Sequence, residues 1–293
     1  MAKVGFLYTI GMLLMALTVF SLALLVTEIQ RKSNENVAEI IKYERLYNLD
    51  TSINEGFAEI FRVASGIRFI YNNKTNNTLF IEENLTSSNQ AIFAQNMSRW
   101  GKFLNKTVTN RAENVSIHLS NFNAVNTRLP LVIMPYNINY EHIPNLGGST
   151  LRLSPMLFNF YGYNISVYSP IDVLSTSTWR EASGTDMIIK IKVRGPATSR
   201  IINQRISSTG LSYLQVRNLA NTANLLNISI NNSKLYIDKF STVSKIKVTT
   251  GIIMPRNNTE LTRIFYPKKI YNVTLTNLSV KTVSDVMLLS LQV

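Results

Sequence analysis

VGFLYTIGMLLMALTVFSLALLVT, residues Val4 to Thr27, carries no charged side chain and is bounded by Lys3 and Glu28. At about 1.5 Å per residue this stretch makes a helix of roughly 36 Å, against a hydrocarbon core of roughly 30 Å. A secretory signal has a shorter apolar run, about 7 to 15 residues, and ends at a small-residue cleavage site. Here Ala23 is followed by Leu24, Leu25 and Val26 with no turn residue. The stretch therefore predicts an uncleaved transmembrane helix over 4–27. Lys3 and the amino terminus at one end nearly balance Arg31 and Lys32 at the other, so basic residues alone do not orient it. Length does: residues 1–3 form a short cytoplasmic end, and everything able to fold follows the helix. The expectation is a single-pass protein of the cell membrane with an extracellular C-terminal part.

Outward from that stretch, Thr27 to Lys42 contains no Gly or Pro and is rich in helix formers, so the helix is expected to run on to at least Lys42 within a helical stalk over 28–66. Val37, Ile40 and Ile41 share a face; Leu46, Leu49, Ile53, Ile60, Val63 and Ile67 continue a three-four spacing, with Gly56 among them. Such a stripe needs a partner, either the following domain or neighbouring helices. Ser52 with Glu55 three residues later is a capping-box pattern that would interrupt and restart the helix. Gly66 is the expected stop.

Beyond Gly66 the apolar period shortens to two. Ile67–Tyr71 and Leu79–Glu82 read as a hairpin around the polar Asn72–Thr78, and one more helix is expected from Ser88 to Leu104, with Ile92, Phe93, Met97, Trp100 and Phe103 or Leu104 on its apolar side. Further strands are expected at Val115–Leu119, Leu129–Met134, Leu157–Tyr168, Met187–Arg194, Leu211–Val216, Leu225–Ile230, Lys234–Lys239, Lys245–Ile253, Ile270–Thr276 and Val286–Leu291. In the Met187–Arg194 segment alternation places Lys190, Lys192 and Arg194 on one face and Ile189, Ile191 and Val193 on the other, a half-buried strand. Lys245-Ile246-Lys247-Val248 repeats that logic. The fold class expected is a transmembrane helix and stalk followed by a mainly antiparallel β ectodomain, sandwich or jelly-roll-like, with one additional helix. The turn-rich Ser175–Thr185 separates a first part, 67–175, from a second, 176–293, as two domains or as one.

The 293 residues contain no cysteine, which excludes a disulfide framework, thiol catalysis and cysteine-ligated zinc. His118 and His142 fit no zinc-binding spacing, and Asp50, Asp172, Asp186, Asp238 and Asp285 form no calcium loop. Glu82 and Glu83 are adjacent; on a strand they face opposite ways and make a poor acid–base pair. Gly147-Gly148 reads as a turn, not a phosphate loop, and Gly-x-Ser-x-Gly is absent. Trp100, Trp179 and the run Phe158 to Tyr163 are aromatic residues that fit a core or a surface that stacks on sugars. No catalytic, metal or cofactor residue is expected. An extracytoplasmic hydrolase acting on envelope glycans is the enzymatic alternative, since triads assemble in space.

Asn-x-Ser/Thr occurs twelve times, at Asn73, Asn76, Asn84, Asn96, Asn105, Asn114, Asn164, Asn227, Asn231, Asn257, Asn272 and Asn277, all after the apolar stretch. That is about twice the number random placement gives, and it favours N-glycosylation outside the membrane. If glycans are carried, the asparagines belong on loops, helix ends or wet strand faces, with Ile228 and Val273 turned inward between the sequon residues. The net charge of +13 is spread without a Lys/Arg-rich run, so it points to anionic glycans, lipid headgroups or acidic envelope proteins, or to solubility, and not to specific nucleic acid.

The first residues, Ala2-Lys3-Val4-Gly5-Phe6-Leu7-Tyr8-Thr9-Ile10, followed by the apolar run and a polar helix, resemble the N terminus of archaeal type IV pilin-like proteins. The resemblance covers about the first sixty residues. It implies a helix that packs in a membrane or filament core, a homo-oligomer or filament formed through that helix, and a glycan-decorated β head. It also implies cleavage by a prepilin peptidase between Gly5 and Phe6. The glutamate found five residues into many bacterial pilins is Ile10 here, and the head exceeds that of a typical major pilin. Both departures favour a minor pilin-like or simply anchored surface protein.

Overall fold

The computed structural model describes residues 2–72, 77–85, 95–104, 106–107, 115–118, 129–134, 137–145, 148–155, 160–173, 179–180, 182–240, 245–254, 262–275 and 278–291. One helix, α1 (Ala2–Ala64), takes up the entire N-terminal part. The chain separates into two compact units, Met1–Ser52 and Ile53–Val293.

In the first unit α1 is uninterrupted, and its described side chains from Ile10 to Glu39 are all exposed. Its most apolar 18-residue window has a mean hydropathy of 2.4, long and apolar enough to cross a membrane. The apolar face of Met12, Leu13, Met15, Val19, Phe20 and Leu24 is 56–74 % exposed, a surface that water does not tolerate as a contiguous cylinder. The helix continues well past Lys42, as its composition predicts. It does not restart at Ser52: the Ser52 hydroxyl donates to the carbonyl of Asn48, 2.9 Å away and one turn back, so it bonds inside the helix and caps nothing.

The second unit opens with the last turns of α1. There the buried residues are Ile53, Phe57, Phe61 and Ala64, while Val63 is 74 % exposed. The expected stripe through Ile60 and Val63 is therefore displaced by one that carries two phenylalanines and so buries more apolar area. The Phe57 ring lies 4.9 Å from that of Tyr266. A short helix α2 (residues 95–104) follows, with Met97 buried, Trp100 and Leu104 half-buried and Phe103 exposed. The expected positions 88–94 lie outside the described residues. Gly56 has a structural reason in this contact: a Cβ there would sit 2.5 Å from the Trp100 ring. After Ala64, Ser65 N–H donates to Phe61 O at 3.0 Å and Gly66 takes φ 69°, a left-handed helix stop that glycine adopts without strain.

Two sheets make up the remainder. The six-stranded sheet runs β1 (Arg68–Asn72), β2 (Thr78–Asn84), β14 (Lys247–Ile253), β7 (Gly162–Tyr168), β9 (Met187–Arg194), β10 (Ser199–Ile206). The ten-stranded sheet begins β16 (Leu278–Leu291), β15 (Thr262–Leu275), β4 (Leu129–Met134), β5 (Ile138–Asn145), β6 (Gly148–Pro155). It continues β13 (Lys234–Lys239), β12 (Asn224–Asn231), β11 (Leu211–Arg217), β8 (Trp179–Arg180), with β3 (Val115–His118) also paired to β15. Among the described residues all strand pairings are antiparallel except β7 with β9, which run parallel. Between those two the chain visits the other sheet as β8, a crossover of the kind parallel neighbours require.

Strand after strand alternates buried and wet, with Ile165, Val167, Ile189, Ile191, Val193, Val248 and Ile252 inward from one sheet and Leu151, Leu153, Leu214, Ile228, Ile230, Leu235 and Ile237 inward from the other. Both sheets draw strands from 67–175 and from 176–293, so the two inner faces share one core across Ser175–Thr185. Four strands are not evident in the sequence, among them the two-residue β8 inside the turn-rich Ser175–Thr185. β5 carries Pro144 and isolated apolar residues, β6 shows only Leu151 and Leu153, and β10 breaks alternation with Asn203-Gln204-Arg205.

Candidate functional site

The outer face of the six-stranded sheet follows from its register. On β9 the inward positions are taken by Ile189, Ile191 and Val193, at most 2 % exposed, so Lys190, Lys192 and Arg194 point away from the core, with Lys190 and Arg194 exposed and Lys192 half-buried. Asn164, Ser166 and Tyr168 of β7 lie directly opposite those three, and Thr249 and Lys247 of β14 come next in line. One row thus reads Asn84, Lys247, Tyr168, Arg194, Ser199 across five strands. Arg68 of β1 and Arg205 of β10 are exposed on the same side. Against these six cations the described face holds one acid, Glu82, which is opposite Arg68 and lies 3.4 Å from Lys247 Nζ. Tyr168, 52 % exposed, stands between two cations.

The outer face of the ten-stranded sheet is built differently. Glu141, Arg152, Tyr236, Ser229, Tyr213 and Arg180 form a row in register, and the guanidiniums of Arg152 and Arg180 lie 5.5 and 5.8 Å from the centres of the Tyr236 and Tyr213 rings. Arg152 also pairs with Glu141 at 3.8 Å, and Thr150 donates to Asp238 at 2.7 Å. With Arg217, Lys234 and Arg263 on the same side, that face carries five described cations against Glu141 and Asp238, so both outer faces have an excess of cations, the six-stranded one the larger.

A polar cluster ties the sheets together inside the core. Tyr140 and His142, two apart on β5, face inward toward Glu83 of β2; the Tyr140 hydroxyl donates to Glu83 Oε2, and His142 Nδ1 lies 3.0 Å from the same oxygen. Glu83 Oε1 is buried with no hydrogen-bond partner among the described residues. Burial first, and then the Glu83 charge and hydrogen bond, push the Tyr140 hydroxyl well above the usual phenol range. Nearby, Lys239 Nζ donates to Leu85 O at 2.7 Å, and burial lowers its pKa. With side-chain exposures of 4 % and 2 %, the His142–Glu83 pair has no access to a substrate. The adjacent Glu82 and Glu83 do face opposite ways, as a strand dictates. Glu83 finding His142 was hidden from the sequence, since the pair is 59 residues apart and on different sheets.

Five of the twelve sequon asparagines have described side chains. Asn84 and Asn231 are exposed, Asn96, Asn164 and Asn227 are half-buried, and Ile228 points inward at 0 % exposure. Asn227 Oδ1 is nonetheless covered, without a hydrogen-bond partner among the described residues. Asn73, Asn76, Asn105, Asn114, Asn257 and Asn277 lie outside the described residues, as do the side chains of Asn272, Val273 and His118, whose backbones belong to β15 and β3. Gly5 and Phe6 lie within α1, their side chains likewise not described. Tyr161 is 53 % exposed, Tyr163 is buried with its hydroxyl donating to Ser233 O at 2.7 Å, and Trp179 Nε1 donates to Gln204 at 2.6 Å. No group of three His, Asp or Glu with metal-holding geometry occurs among the described residues. Comparison with protein-family models, with curated proteins and with solved structures gave no match to this chain.

Proposed function

We propose that this chain is a single-pass, N-glycosylated protein of the cell surface whose β-rich part lies outside the membrane and has a structural or adhesive, non-enzymatic role. The observation that carries this reading is the exposed apolar helix continuous with a unit that has its own two-sheet core. A hydrophobic cylinder of this length is stable in lipid and is a liability in water. The exposure of Asn84 and Asn231 supports glycosylation at those two positions. Cell fractionation with surface protease treatment tests the reading. Protein in the membrane fraction, with its C-terminal part digested on intact cells, is expected; native protein in the cytosol defeats it.

A pilin-like subunit of an archaeal surface filament is the second reading. It is favoured by Val37, Ile40 and Ile41, which are 51 %, 63 % and 43 % exposed on α1 beyond the apolar run and would be covered by neighbouring copies in a helical core. Sequencing of the native N terminus separates the two: a chain beginning at Phe6 selects the filament subunit, and an intact Met1 or Ala2 selects the anchored protein.

A further inference from the structure

We infer that the outer face of the six-stranded sheet, centred on Tyr168 between Lys247 and Arg194, binds an anionic polysaccharide. The inference deepens the surface-protein reading and rests on it for the setting in which such a polymer is met.

Six described cations share this face with a single acid, Glu82. Lys190, Lys192 and Arg194 recur at every second residue of β9, roughly 6.8 Å apart, and Lys247 lies two strands away, roughly 9.6 Å from Arg194. The single acid here, Glu82, faces both Arg68 and Lys247, whereas the opposite outer face has two acids, Glu141 and Asp238, for five described cations. A regular array of cations on a stiff sheet complements a polymer that carries charge at regular intervals, and binding is driven by release of the polymer's counterions.

Tyr168 narrows the choice of polymer. Its half-exposed ring lies in register between the two cations, where the apolar face of a pyranose can stack while its acidic substituents reach Lys247 and Arg194. The separation of those cations is on the scale of a disaccharide. The exposed apolar side chains of this face, Ile70 of β1 and Ile201 of β10, lie on its two edge strands, whereas the centre between Lys247 and Arg194 holds Tyr168, so a polymer stacked at the centre is favoured and lipid vesicles are the comparison that tests the alternative.

The test uses the full-length chain in neutral-detergent micelles and measures affinity for heparin and for polygalacturonate, with neutral dextran and phosphatidylglycerol vesicles as comparisons. The triple variant Lys192→Glu, Arg194→Glu, Lys247→Glu is expected to lose about tenfold or more in polysaccharide affinity. The triple variant Arg180→Glu, Arg217→Glu, Lys234→Glu on the opposite sheet makes the same change in net charge and is expected to lose less than about threefold. Tyr168→Ala is expected to weaken binding about fivefold with an unchanged salt dependence. Asn84 and Asn164 lie on the face itself, beside Lys247 and Lys190, where a glycan would cover part of it, so Asn84→Gln, Asn164→Gln protein is expected to bind more tightly than the glycosylated native form. Near-ultraviolet circular dichroism verifies that each variant is folded. Equal losses from both triple variants, or binding to the vesicles and dextran but not to the acidic polysaccharides, overturn the inference. Binding in vitro is read independently of cellular location, so a failed fractionation and a failed binding assay remain distinguishable.

Discussion

Glu83 Oε2 accepts from the buried Tyr140 hydroxyl and lies 3.0 Å from His142 Nδ1, and its Oε1 has no hydrogen-bond partner among the described residues. Removing a donor from a buried carboxylate leaves a desolvated acceptor, so Tyr140→Phe is expected to destabilise the β unit by about 1–3 kcal/mol, read by denaturant unfolding. The penalty should largely disappear when Glu83 is replaced by Leu in the same chain, since no unpaired acceptor then remains; an equal penalty in both backgrounds would mean the hydrogen bond contributes nothing. Tyr140, Tyr163 and Tyr266 also fix the alkaline limit. Burial raises all three, Tyr266 to about 12 and Tyr140 and Tyr163 well above the usual phenol range. Below about pH 9 each is neutral in both folded and unfolded chains, and stability is full. Above about pH 10 the unfolded chain releases protons that the folded chain retains, so stability falls as pH rises toward and beyond 12. A melting temperature that stays flat from pH 8 to pH 12 would contradict this. Gly56 is a third residue-scale test: a methyl group there meets the Trp100 ring, and Gly56→Ala is expected to destabilise by about 1–3 kcal/mol despite its better helix propensity.

At the scale of elements, the last turns of α1 separate two candidate faces. Phe57→Ala should cost about 3–5 kcal/mol, whereas Val63→Ala should stay within about 0.5 kcal/mol, because Phe57 is fully buried and Val63 projects into solvent. The reverse order in chemical denaturation would restore the stripe through Val63. The same contrast explains what was legible beforehand. β4, β9 and β13 are readable to the residue, since each alternates or runs apolar without interruption. The position of Gly66 after the helix marks its end for the same local reason. β5 and β10 were not readable, because their burial comes from partners elsewhere in the chain: Tyr140 is inward only because β2 brings Glu83 opposite, and β10 is held by its full pairing with β9. The parallel pairing of β7 with β9 is also invisible in a strand's own pattern, which records which face is wet and not the direction of its neighbour. The cationic excess of the outer face was half legible: alternation exposed Lys190, Lys192 and Arg194, while the placing of Tyr168 and Lys247 beside them depended on sheet order.

At the scale of the molecule, two units of opposite solvent preference are joined in one chain. The β unit buries its apolar residues between sheets, and the first unit leaves its own exposed along α1. Only a hydrocarbon phase or a bundle of like helices satisfies such a helix. The most direct test is carbonate extraction of membranes from cells making the native chain, followed by immunodetection of the pellet and the supernatant. Retention in the pellet, with release only by detergent, is the predicted result; recovery of intact protein in the carbonate supernatant would contradict a membrane-spanning α1.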